Sequence, residues 1–123
     1  MRTKGPTLTP QELEIMKVIW PKGDVTVRDV YEDLRTRRKI AYTTVMTMMN
    51  VLEGKGHLKK RLDDRAYIYR STKTAATVQR SMVREFVDRL FDGATQPLLV
   101  HLLKERRLTR QELEDLARQI EEA

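Results

Sequence analysis

Apolar residues recur every three or four positions along most of this chain, the spacing of helices that each bury one face. The first such stretch runs from Leu8 through Ile15, Met16, Ile19 and Trp20. Thr9 can cap it, Pro10 fits the first helical position, Glu12 closes a capping box, and Leu8 can staple onto Leu13. Pro21 is expected to stop it. After the turn Pro21-Lys22-Gly23-Asp24, Val25 is placed to add one short strand. Thr26 with Asp29 then restarts a helix whose buried stripe is Val27, Val30, Tyr31 and Leu34.

The third periodic stretch, Ala41 to Leu58, differs from the first two. Val45, Met48, Met49 and Leu52 form its apolar stripe, which points Thr43, Thr44, Met46, Thr47 and Asn50 the other way. That outer face carries no charge, unlike an ordinary solvated helix. Short hydroxyls, an amide and a thioether suit base edges and a thymine methyl in a groove that admits a helix. A neutral helix packed on another protein would look the same in isolation. Gly54 and Gly56 end the helix. Leu58-Lys59-Lys60-Arg61-Leu62, the acidic turn Asp63-Asp64-Arg65 and Ala66-Tyr67-Ile68-Tyr69-Arg70 then read as a hairpin. Its two faces are similarly apolar, so alternation leaves open which of Tyr67 and Ile68 points inward.

Three helices with a short second-to-third junction and a hairpin describe a winged helix-turn-helix over residues 1–71. The recognition helix covers about 42–54 and the wing 58–70. From Thr72 the character changes. Val78, Met82, Val83, Phe86, Val87, Leu90 and Phe91 stripe one long helix that ends near Gly93. Pro97 opens a short helix with Leu98, Leu99, Val100, Leu102 and Leu103. Leu108-Thr109-Arg110-Gln111-Glu112-Leu113 then repeats the N-terminal capping device, followed by Leu116, Ala117 and Ile120. Three helices of about fifty residues cannot readily cover stripes this wide within one chain. Self-association, most economically as a two-fold dimer, is expected for residues 72–123. The dimer candidates are Val78, Met82, Phe86, Val87, Leu90, Phe91, Leu99, Leu102, Leu103, Leu113, Leu116 and Ile120. The fold class is mainly α with a small β-hairpin wing.

Charge sharpens this division. Residues 1–71 hold 15 Lys/Arg against 9 Asp/Glu, and residues 72–123 hold 9 of each, so the whole net charge of +6 lies in the first part. A basic front end suits a polyanion. Arg35, Arg37, Arg38 and Lys39 crowd the end of the second helix beyond what a helix C-terminus needs. Lys59, Lys60, Arg61 and Arg65 gather on the hairpin, where an edge-blocking role is the plainer alternative. The candidate phosphate contacts are Arg37, Arg38, Lys39, Tyr42, Lys55, Lys59, Lys60, Arg61 and Arg65. Met1 to Pro6 is expected to be a disordered arm.

Several chemistries are excluded by what is missing. The 123 residues contain no cysteine, so there is no disulfide, thiolate nucleophile or cysteine metal site. The two histidines, His57 and His101, lie far apart. No phosphate loop, His-Glu-x-x-His or nucleophile elbow occurs. Neither an enzyme, a metal nor a cofactor is expected. No apolar run approaches a membrane span and no signal-peptide pattern opens the chain, so a cytoplasmic protein without membrane insertion is expected. A winged helix can also bind proteins or RNA. Duplex RNA would have to be read by shape, and single strands would need exposed aromatics. Only Tyr42, Tyr67 and Tyr69 could serve, two of which are expected to pack in the wing.

The order of motifs resembles the BlaI/MecI family of penicillinase and methicillin-resistance repressors. The resemblance rests on Leu8-Thr9 through Trp20, Ala41-Tyr42-Thr43-Thr44-Val45 through Leu58, and Asp63-Asp64-Arg65-Ala66-Tyr67-Ile68-Tyr69. It is co-linear but weaker beyond residue 71, including Leu90-Phe91-Asp92-Gly93. It implies a dimeric repressor, joined through its C-terminal helices, on a palindromic operator, with Thr43, Thr44, Met46 and Thr47 on the base-reading face. Copper-responsive relatives carry paired Cys-x-Cys motifs, which this chain lacks. In antibiotic-responsive members a membrane sensor protease cuts an Asn-Phe bond, and the matching position here reads His101-Leu102. The resemblance thus implies His101–Leu102 as the candidate regulatory cleavage site and a membrane sensor protease as a candidate partner, at a bond that departs from the family's Asn-Phe.

Overall fold

The computed structural model describes residues 8–122, with side chains through Gln119. The expected N-terminal arm and the side chain of Ile120 lie outside what is described. The elements are α1 (Pro10–Lys22), α2 (Val27–Leu34), α3 (Tyr42–Gly54), β1 (Leu58–Asp63), β2 (Ala66–Ser71), α4 (Ala75–Phe91), α5 (Gln96–Lys104) and α6 (Arg110–Glu122).

Both expected N-terminal capping boxes form. Thr9 Oγ1 accepts from the Glu12 N–H at 3.1 Å while the Thr9 N–H donates to the Glu12 carboxylate at 3.0 Å. Thr26 and Asp29 repeat this at 3.1 and 3.0 Å, and an exchanged pair of this kind satisfies two of the free N–H groups at a helix start. α1 does not stop at Pro21. The proline sits in the last turn, where it removes only the bond to the Lys17 carbonyl, and the chain stays helical through Lys22. Gly23, at φ +86°, ends it and donates its N–H to the Ile19 carbonyl at 3.0 Å.

Two compact units divide at Met82 and Val83, inside α4. The first has α1, α2 and α3 around a core of Ile15, Met16, Ile19, Val30, Leu34, Val45, Met49 and Leu52, closed by Leu58 and Tyr69 from the hairpin. The hairpin pairs antiparallel from Leu58↔Ser71 to Asp63↔Ala66, and Asp64 takes the left-handed position of its turn at φ 62°. Val25 extends it as expected: its N–H donates to the Tyr69 carbonyl at 3.0 Å and its carbonyl accepts the Tyr69 N–H at 2.7 Å. The Trp20 indole N–H donates to Ser71 Oγ at 3.1 Å, which ties α1 to the end of β2.

Val78 belongs to this first core at 1% exposure, and Met82 packs against it. Both were expected on the dimer stripe beyond residue 71. Their side chains are instead covered by the winged-helix unit, so its packing extends about ten residues past the hairpin. With the boundary at Met82 the charge division widens: residues 1–82 hold 17 Lys/Arg against 9 Asp/Glu, a net of +8, and residues 83–123 hold 7 against 9, a net of −2.

The second unit comprises the end of α4 with α5 and α6. Val87 is its one buried side chain among the described residues, and α5 buries none. Phe86 and Phe91 meet edge to face at 6.1 Å. Thr109 and Glu112 form the expected second copy of the capping device, at 2.9 and 3.1 Å. Val83, Phe86, Leu90, Val100, Leu103 and Leu116 remain exposed, with Leu90 at 60%.

Candidate nucleic-acid interface

Burial of Val45, Met49 and Leu52 leaves Thr43, Thr44, Met46, Thr47 and Asn50 exposed on the opposite face of α3, as expected. Val51, exposed at its edge, was not anticipated. No charged residue occurs between Tyr42 and Val51. Ala41 makes no side-chain cap and the first turn of α3 has no carboxylate. No side chain therefore caps the N–H groups of Tyr42 and Thr43, while the Thr44 N–H donates to the Ala41 carbonyl at 3.1 Å; the uncapped start favours an anionic oxygen.

The wing is fastened to this helix by polar groups. The Tyr69 hydroxyl donates to Asn50 Oδ1 at 2.8 Å, and the Lys60 ammonium donates to the same oxygen at 3.2 Å. Lys60 also lies over the Tyr67 ring at 4.7 Å and the Tyr69 ring at 5.9 Å. Burial, reinforced by the nearby Glu53 charge and by Tyr67 and Tyr42, raises the Tyr69 pKa, so the phenol stays a donor at neutral pH. Tyr69 is buried while Tyr67 is half-exposed and Ile68 intermediate, so only one of the wing tyrosines is buried, where two were expected to pack in the wing. At the other edge, Asp24 accepts from Arg70 Nε at 2.6 Å and from Arg61 at 3.3 Å, and the Arg70 hydrogen bond leads in holding its pKa below the usual carboxylate value.

Between the start of α2, the face of α3 and the wing lies an open concavity of about 560 Å³, lined by Thr26, Arg28, Tyr42, Met46, Asn50, Lys60, Arg65 and Tyr67 among others. Arg28 stacks over the Tyr42 ring at 5.3 Å, and Tyr42 meets Tyr31 edge to face at 5.4 Å. Nothing in the local sequence pattern singled out Arg28. Its place at the rim follows from the crossing of α2 and α3.

The candidate phosphate contacts divide by what holds them. Arg37 pairs with Asp33 at 2.9 Å, Arg38 grips Glu14 at 2.8 Å, Lys55 meets Glu12 at 2.9 Å and Arg61 meets Asp24. Lys39, Lys59 and Arg65 make no ion pair among the described residues and are exposed. Glu12 is pulled both ways: burial raises its pKa, but the Thr9 N–H, the Lys55 ammonium and the Thr9 hydroxyl outweigh it and the net shift is down. Arg38 is the first cause of the lowered Glu14 pKa. The paired cations are thus preset in position and part-neutralised, while the unpaired ones are the freest to reach a phosphate.

Of the dimer candidates, Phe86 and Leu90 are exposed, Phe91, Leu99, Leu102 and Leu113 are intermediate, and Val87 is already buried within the chain. The His101–Leu102 bond lies inside α5, so a protease would have to unwind that turn to cut it.

A family model described as the penicillinase repressor matches residues 8–122. The penicillinase repressor of Bacillus licheniformis is 25% identical over 119 residues, covering 97% of this chain and 93% of that protein. The transcriptional regulator BlaI of Mycobacterium tuberculosis (strain CDC 1551 / Oshkosh) is 33% identical over 95 residues, covering 76% of this chain and 69% of that protein. The solution structure of Bacillus licheniformis BlaI, in its monomeric form in complex with the blaP half-operator, is similar with a TM-score of 0.51 and 28% identity, covering 58% of this chain and 87% of that one. The matching family is one of transcriptional repressors and not of enzymes. A match along almost the whole chain, over three helices and a hairpin wing, places the chain in the penicillinase repressor family of winged-helix transcriptional repressors.

Proposed function

We propose that this protein is a dimeric repressor that occupies a palindromic operator, each copy laying α3 in a major groove and its wing along the adjoining backbone. The observation that carries this is the uncharged, exposed face of Thr43, Thr44, Met46, Thr47 and Asn50 between the open start of α3 and a cationic hairpin. Neutral donors and acceptors read bases, whereas the surrounding cations supply sequence-independent attraction. Lys39, Lys59 and Arg65 act directly on phosphates. Arg37, Arg38, Lys55 and Arg61 act from their ion-paired positions, Lys60 from its place on Asn50, and Tyr42 from the head of the helix.

Dimerisation belongs to residues 83–123. Apolar side chains left exposed there, Phe86 and Leu90 foremost, support a second copy as the covering partner, and the small net charge of −2 in that stretch brings little like-charge repulsion to such a contact. The DNA it acts on puts the protein in the cytoplasm. Relief of repression by a membrane sensor protease at His101–Leu102 would require local opening of α5.

Alanine at Thr44 and Thr47 tests the base-reading face. Each variant should lose about 1–3 kcal/mol on a selected operator and little on random duplex. Equal losses on both duplexes, or tighter binding to RNA than to duplex DNA, would remove the operator-reading role.

A further inference from the structure

The contacts of Asn50 determine what it can read, given the base-reading role of α3 on which this inference rests. Its Oδ1 takes the Tyr69 hydroxyl at 2.8 Å and the Lys60 ammonium at 3.2 Å. An ammonium only donates, so the amide atom facing Lys60 has to be the oxygen, and the orientation of the side chain follows without ambiguity. A carbonyl oxygen has two lone pairs, and both are engaged. What Asn50 presents toward a ligand is its NH₂ group, with two donors and no acceptor.

The restraint is strong because its parts are fixed independently. Tyr69 is 2% exposed and its backbone is bonded to Val25 through both N–H and carbonyl. Lys60 stands opposite Tyr69 in the hairpin register and is held over two aromatic rings. Asparagine ordinarily reads adenine with its oxygen and nitrogen together, the oxygen accepting from N6 and the nitrogen donating to N7. That pairing is closed to Asn50. Guanine offers two neighbouring acceptors, O6 and N7, on its major-groove edge, the complement of a group that only donates.

We propose that Asn50 is a specificity-determining residue that reads a guanine, because the wing holds its amide oxygen and leaves only its two N–H donors for the base. Tyr69 and Lys60 are positioning residues for that choice. Replacing them therefore changes which base is read as well as how tightly.

Selection of bound duplexes from a random pool by the full chain tests this. Wild type should select a G·C pair at one position in each half-site. Asn50→Asp keeps an oxygen for Tyr69 and Lys60 but has no donor, and should relax that one position by about tenfold while the others keep their preference. The double variant Tyr69→Phe/Lys60→Met frees the oxygen, and an A·T pair should then be accepted at the same position. Trp20 fluorescence unfolding checks that each variant is folded. An A·T pair selected by wild type and lost in Asn50→Asp would overturn the inference, as would an Asn50→Asp selection identical to wild type. In either case a position relaxed by Thr47→Ala shows that base reading by α3 itself stands. A pool with no consensus, unchanged by Thr47→Ala, would overturn both.

Discussion

Val78 separates two roles that its own sequence stripe runs together. Its side chain is buried in the core of the winged-helix unit, although it lies on the same apolar stripe as the exposed Phe86 and Leu90. Val78→Ala in the full chain removes two methyl groups. Transfer at about 0.8 kcal/mol each gives roughly 1.6 kcal/mol, and the cavity left in a packed core raises the loss to about 2–3 kcal/mol. The readout is built in: Trp20 is the sole tryptophan and packs against the same core, so its fluorescence in urea follows this unit. With an m-value of about 1–3 kcal/mol per molar for a small domain, the midpoint should fall by about 0.7 M or more. A midpoint unchanged within about 0.2 M would refute the placement of Val78 in this core and return it to the dimer stripe.

Phe86→Asp should behave in the opposite way, leaving the Trp20 transition in place while sedimentation shows the dimer replaced by monomer; an intact dimer would move the dimer interface elsewhere. Lys59→Ala should weaken binding to operator and random DNA alike and reduce the salt slope by about 0.9 for each phosphate that Lys59 neutralises, measured by titration at several salt concentrations. An unchanged slope would show that Lys59 does not touch a phosphate. Glu12 gives a pH prediction. Its folded pKa lies below its ordinary 4.5, so the stability it contributes is present above that value and is lost as the pH falls through the lower folded value. Glu12→Gln should therefore lose stability at neutral pH and show a flatter acid limb in urea midpoints taken between pH 3 and pH 7; an acid limb as steep as wild type would place the linkage elsewhere.

How much of this was legible depended on whether the physics was local. Thr9–Glu12, Thr26–Asp29 and Thr109–Glu112 are encoded three residues apart, and all three capping devices form. The apolar stripe of α3 fixed its outward face, since burying Val45, Met49 and Leu52 leaves Thr43, Thr44, Met46, Thr47 and Asn50 no other direction. Periodicity does not say which neighbour covers a stripe, and so Val78 and Met82 read as one surface with Phe86 and Leu90. Pro21 carries a strong stop signal, but in a last turn it forfeits a single bond, and Gly23 ends the helix instead. The hold of Glu14 on Arg38 spans 24 residues, and that of Tyr69 on Asn50 spans 19. Neither follows from spacing, and those long-range partners divide the cations into paired and unpaired and turn the Asn50 amide around.

Dimethyl-sulfate interference on a selected operator bound by the full chain tests the central claim most directly. The reagent marks guanine N7 in the major groove and adenine N3 in the minor groove, so one experiment reads both sides of the duplex. If α3 of each copy enters a major groove, guanine methylation should block binding at two symmetry-related clusters, about 10–10.5 base pairs apart or a multiple of that. Interference confined to adenine N3, or a single cluster bound by one copy, would contradict the account.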